Sequence, residues 1–162
     1  MTLEVEDPGE IQRGEQSSGP IILDAQVVAG FRYANWALKY QLPKIEPRFS
    51  EIRGCHPGTI NLKLDKALRF NNLDYTTPSI AWHPQDPRVI ERFSLIRVQL
   101  EHWRGGASHK AWIYIPHNSP YLVDPFRVEV ITMLIAGVRY GDRFRLHIPP
   151  RPHRTAEIIL ID

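Results

Sequence analysis

A chain of 162 residues, 43% hydrophobic and 23% charged, is large enough for one packed domain and too short for two comfortable ones. Its formal charge of +2 argues for no nucleic-acid partner, and no apolar run approaches the length of a membrane span, so neither nucleic acid nor a membrane is expected as a partner. The single cysteine, Cys55, excludes an intrachain disulfide framework and fits a reducing cytoplasm, the expected location.

In chain order, residues 1–20 are acidic and Gly/Ser/Gln-rich without apolar periodicity, and are expected to be a disordered leader to a single domain over 21–162. They lack the basic-then-apolar order of a secretory signal. "IILDAQVVAGF" (21–31) is rich in β-branched residues and predicts the first strand. In 32–54, Trp36, Leu38, Tyr40 and Leu42 alternate like a second strand, and Pro43 and Pro47 then turn the chain. "TINLKLD" (59–65) alternates again, with Ile60, Leu62 and Leu64 on one face.

The stretch after it, 66–87, reads as a loop broken by Pro78, Pro84 and Pro87. "FSLIRVQLEHW" (93–103) and "HKAWIYIP" (109–116) predict a hairpin whose Gly105-Gly106 connection exceeds a tight turn. "RVEVITML" (127–134) suits a strand or a short helix, "YGDRFRLHI" (140–148) a turn and strand, and "AEIILID" (156–162) an additional edge strand. Many short strands, punctuated by 14 prolines and 10 glycines, imply a small barrel or sandwich.

The usual signatures of hydrolases, zinc proteases and P-loop enzymes are absent. Cys55 beside His56 is a neighbour in sequence and reads as an incidental thiol before it reads as a nucleophile. Between Arg139 and Arg154, five arginines and two histidines suit either a polyanion contact or a solvated last strand. The hinge at Pro57-Gly58 carries more chemistry. Thr59 and Asn61, two apart on a strand, share a face about 7 Å apart at Cα. Their neutral oxygens suit a Mg²⁺ ion whose charge is balanced by substrate phosphates, or else Thr59 caps the turn and Asn61 faces solvent. Pro57 and Gly58 let the backbone turn sharply and approach a ligand closely.

The segment Pro57-Gly58-Thr59-Ile60-Asn61-Leu62-Lys63-Leu64-Asp65 resembles the signature of the archaeal-type, CTP-dependent riboflavin kinases. The order of the runs at 21–30, 91–101, 109–116, 127–134 and 140–148 is similar to that family's strand order, over roughly residues 21–148. The resemblance implies a mainly β fold, a six-stranded cradle-loop-type barrel, and transfer of the γ-phosphoryl group of CTP to riboflavin, giving FMN. It implies Thr59 and Asn61 as ligands of Mg²⁺, Glu129 as catalytic and substrate-binding group, Ser119 and Tyr121 near the flavin, and Gly30, Arg32, Pro57 and Gly58 about the nucleotide.

Two departures stand out. Where the family has a glycine-rich loop, this chain reads Gly30-Phe31-Arg32-Tyr33-Ala34. On an extended backbone Phe31 and Tyr33 share a face, where they block phosphates or offer a stacking platform, and Arg32 supplies charge. The proline-rich stretch 79–91 has no counterpart in the family. The alternative reading is a non-catalytic barrel relative that binds a flavin, a nucleotide or a protein partner.

Overall fold

The computed structural model describes residues 20–30, 33–70, 73–118, 124–150 and 156–159. Residues 1–19 of the expected leader over 1–20 and the site candidates Arg32, Ser119 and Tyr121 lie outside the described residues, as does Phe31. In chain order the elements are β1 (Ile21–Val28), α1 (Tyr33–Ile45), a 3-10 turn (Ser50–Ile52), β2 (Ile60–Leu64), β3 (Ala67–Phe70), β4 (Tyr75–Thr76), β5 (Ile80–Ala81), β6 (Ile90–Glu91), β7 (Phe93–His102), β8 (Ser108–Pro116), β9 (Arg127–Thr132), β10 (Arg143–Ile148) and β11 (Ala156–Ile159).

Six of these strands close into an antiparallel barrel in the order β1-β2-β9-β8-β7-β10, with β10 returning to β1. Closure leaves no edge along the ring, and the ten-residue β7 makes it possible. One edge of β7 pairs with β8 from Phe93 to Glu101; the other pairs first with β4, then with β10. The expected six-stranded barrel is thus borne out, with β4 as an extra strand. The 156–159 segment pairs with β3 outside the ring.

Alternation explains which side chains fill the barrel. Leu23, Ala25 and Val27 of β1, Leu62 and Leu64 of β2, Ile96, Val98 and Leu100 of β7, and Phe144, Leu146 and Ile148 of β10 form one buried cluster. The opposite faces of β7, β8 and β9 are apolar as well. Phe93, Leu95, Trp112, Tyr114 and Ile131 form a second cluster with α1, Phe49, Ile52, Ile80 and Trp82. Strands covered on both faces read as near-continuous apolar runs, as "FSLI" and "AWIY" do.

The expected second strand over 36–42 is a helix instead. Ala37, Leu38, Gln41, Leu42 and Ile45 are buried at the three-to-four spacing of one helical face, while Tyr33, Trp36 and Tyr40 form an exposed stripe. Sampled every second residue, those two stripes imitate strand alternation. Pro43 sits in the last turn, where its missing N–H and ring cost less than in the middle. The stretch expected to be loop-like also holds three short strands, β3 to β5, which are too brief for a period to register. The 127–134 alternative resolves as strand β9.

Candidate functional site

Outside the barrel, between its β2–β9–β8 wall and the first turn of α1, lies a cavity of about 910 Å³. That is at the upper end of the roughly 300–1,000 Å³ typical of small-molecule sites. Asn61 of β2 stands directly opposite Glu129 of β9, both on the outward face. One step along in β8, Tyr114 follows Ile113, whose partner Val130 follows Glu129, so Tyr114 continues the same row. The wall of the cavity is therefore a rank of polar side chains on a sheet whose other face is oily core.

At one end Thr59 Oγ1 donates to Glu129 Oε1 at 3.3 Å, and Asn61 Nδ2 donates to Thr59 Oγ1 at 3.5 Å. Glycines make the close packing possible. A Cβ on Gly30 would lie 2.2 Å from Asn61 Nδ2, and one on Gly58 would lie 2.7 Å from Asn35 Oδ1 of α1. Gly58 also closes a tight turn, its N–H donating to His56 O at 2.8 Å. Burial pushes the Glu129 carboxyl above its ordinary value, partly offset by the Thr59 hydroxyl and Arg127.

The proline-rich stretch 79–91 builds the other end. The β5–β6 ladder pairs Glu91 with Ile80, and Trp82, two residues past Ile80 and just beyond β5, donates from Nε1 to Glu91 Oε1 at 3.3 Å. The backbone N–H of Asn118 donates to Glu91 Oε2 at 2.8 Å. Burial raises the Glu91 carboxyl too, against the pull of those two donors. The Tyr114 hydroxyl donates to Gln41 Oε1 of α1. Its phenol is pushed well above the usual range, first by burial and then by Glu91 and Glu129, so both carboxylates lie within electrostatic reach of it.

Of the residues singled out by sequence, Gly30, Gly58, Thr59, Asn61 and Glu129 are brought together on this one cavity, and Pro57 is half-buried beside it without lining it. Tyr33 opens α1, which corrects the expectation of an extended backbone there; its ring lies at the cavity edge, 6.5 Å from Trp82. Cys55 is pushed up to about 11 by burial and by Glu46, so its thiol stays protonated and makes a poor nucleophile. Sequence reasoning missed Gln41, Trp82, Glu91, Tyr114 and Asn118. Gln41 alone carried a signal, as the one polar residue in the buried stripe of α1.

Among the described residues no three His, Cys, Asp or Glu side chains gather as a metal centre. Thr59, Asn61 and Glu129 offer two neutral oxygens and one carboxylate. Such a set fits Mg²⁺ only when a ligand's phosphates bring most of the negative charge. No helix among the described residues is long and apolar enough to cross a membrane. No protein-family model matches the chain, and no curated protein matches its sequence. What fold and site define together is a closed six-stranded barrel carrying a small-molecule-sized cavity on its outer wall.

Proposed function

We propose that the chain is a phosphotransferase of the riboflavin-kinase type, moving the γ-phosphoryl group of a nucleotide such as CTP to a flavin alcohol. The observation that carries this reading is the hydrogen-bonded run Asn61–Thr59–Glu129 on the cavity wall, packed against Gly30. Glu129, with its carboxyl raised by burial, is a stronger base than an exposed glutamate and suits taking the proton from an attacking hydroxyl. The hydroxyl oxygen then bonds to the γ-phosphorus as the bond to the β,γ-bridging oxygen breaks, and the leaving diphosphate carries that electron pair away. Thr59 and Asn61 would hold a Mg²⁺ brought with the nucleotide, whose chemistry is to neutralise phosphate charge.

Two features support phosphate at this wall. Tyr33, Ala34 and Asn35 put the first turn of α1, the positive end of its dipole, on the cavity, and Arg139 stands at the rim. The binding-only alternative draws its support from the same helix. A bulky first turn occupies the place of a glycine-rich phosphate loop, with Gly30 alone left of it.

The test is phosphorylation of riboflavin by the purified chain with Mg²⁺ and CTP or ATP, followed as FMN formation. Activity should fall about 100-fold or more in Asn61→Ala and Glu129→Gln, by analogy with the loss of one preorganised group elsewhere. Flavin binding without turnover under any nucleotide would leave the binding-only role.

A further inference from the structure

The proposed phosphoryl-transfer chemistry uses one end of the cavity and leaves Glu91 at the other without a task. Glu91 is 7% exposed and Trp82 4%, yet both line the cavity. Each carboxylate oxygen already accepts one N–H, from Trp82 Nε1 at 3.3 Å and from Asn118 N at 2.8 Å. A carboxylate oxygen has two lone-pair directions, so each retains an acceptor. The Asn118 donor is itself fixed, because Asn118 Nδ2 donates to Ile90 O at 2.8 Å. Among the described residues no Lys, Arg or His forms an ion pair with Glu91.

Burying a carboxylate without a counter-charge is costly, and a structural role would be served as well by an uncharged residue. The surroundings say what would compensate it. Trp82 is clamped by Trp36 at 6.0 Å and by His83 at 5.6 Å, and the Tyr33 ring stands edge-on to it at 6.5 Å. Rigid aromatic walls beside an acceptor favour a flat ring with an N–H on its edge over a flexible amine.

We propose that Glu91 and Trp82 form a specificity subsite that accepts the edge N–H of a planar nitrogen heterocycle, so that the β5–β6 hairpin selects the ring system while Thr59, Asn61 and Glu129 handle the reacting end. This deepens the flavin-kinase reading and rests on it for the choice of probe, since the isoalloxazine ring carries one such imide N–H. Trp82 packs beside the ring plane, and the Glu91 oxygens receive the imide hydrogen.

The experiment compares riboflavin with riboflavin methylated on that imide nitrogen, by flavin fluorescence, on the unmodified chain and on Glu91→Ala and Glu91→Gln. The unmodified chain should prefer riboflavin about 10- to 100-fold, the worth of a hydrogen bond to a charged group. Glu91→Ala should bind both within about threefold, with discrimination removed along with the buried acceptor. Glu91→Gln, closest in shape, serves if the alanine variant does not fold, and should keep part of the preference. Equal affinities on the unmodified chain, or full discrimination in either folded variant, overturns the subsite. Phosphorylation of both flavins at equal kcat/KM sinks the subsite and leaves the kinase standing. Glu91-dependent discrimination without turnover supports the subsite and sinks the kinase.

Discussion

Along β9, Val128 and Val130 point into the barrel at 6% and 0% exposure, while Glu129 between them points outward to the cavity with its carboxylate on Thr59. The same contrast holds in β2, where Leu62 is buried inside and Asn61 lies on the outer wall. The interior is closed by the ring of strands and filled by a cluster of apolar side chains. The outer wall divides into a part sealed by α1 and a part left open, and every polar group described in the site belongs to the open part or its margin. The barrel thus works as a rigid backing on which α1 and the β5–β6 hairpin position a polar rank. A change inside should therefore cost stability, and a change on the wall should cost binding. Substitutions in each part would break or sharpen that division.

The largest effect belongs to the interior. Ile113 is 1% exposed and packed in the barrel cluster. Ile113→Ala should destabilise by about 2–5 kcal/mol in urea unfolding, with the ligand-binding constant of the remaining folded fraction unchanged. A loss below about 1 kcal/mol would mean that the barrel centre collapses around the gap and is no rigid backing.

Next comes the margin, where both functions overlap. Tyr114→Phe leaves Gln41 Oε1 buried without its donor. A loss of about 1–3 kcal/mol is expected, the cost of an unsatisfied buried group. Pairing it with Gln41→Leu in a double-mutant cycle should recover part of that loss, and strict additivity would deny the coupling.

Gly30→Ala sits on the wall itself. The new Cβ would fall 2.2 Å from Asn61 Nδ2, so the amide must swing away. Because it meets the end of a side chain, the stability cost should be only about 1 kcal/mol. Ligand binding should nonetheless fall as far as in Asn61→Ala. Unimpaired binding would show that the position of Asn61 is unimportant.

How much of this was legible beforehand follows the same division. Strands whose inner faces alternate, such as Leu23-Ala25-Val27 and Phe144-Leu146-Ile148, announce themselves, because burial on one face imposes period two. The helix did not, since Trp36 and Tyr40 are exposed aromatics that imitate the buried positions of a strand. In the site, Thr59 and Asn61 stand in one short signature, and Glu129 was reached only through the order of the strands. Glu91, Trp82 and Tyr114 come from three separate elements, and their convergence is fixed by the packing of α1 and the β5–β6 hairpin onto the barrel, which no local pattern encodes.

The smallest effect is also the one with a sign to check. Burial raises the folded-state Glu129 carboxyl above its ordinary 4.5, so the folded chain holds that proton more tightly than the unfolded chain does. The stabilisation this provides is complete below the unfolded value and is lost as pH rises through the folded one. Glu129→Gln cannot ionise and escapes that loss. Its melting temperature relative to the unmodified chain should therefore climb as pH rises above the ordinary 4.5, the reverse of what a salt-bridged carboxylate would give. Thr59→Val removes the hydroxyl that pulls the carboxyl down, so in that background the climb should start at the same pH and extend to higher pH. A difference between Glu129→Gln and the unmodified chain that stays flat across the range would mean that Glu129 is as well solvated folded as unfolded. It would then lose its standing as the base on this wall, because the burial that makes it a base is the burial that produces the slope.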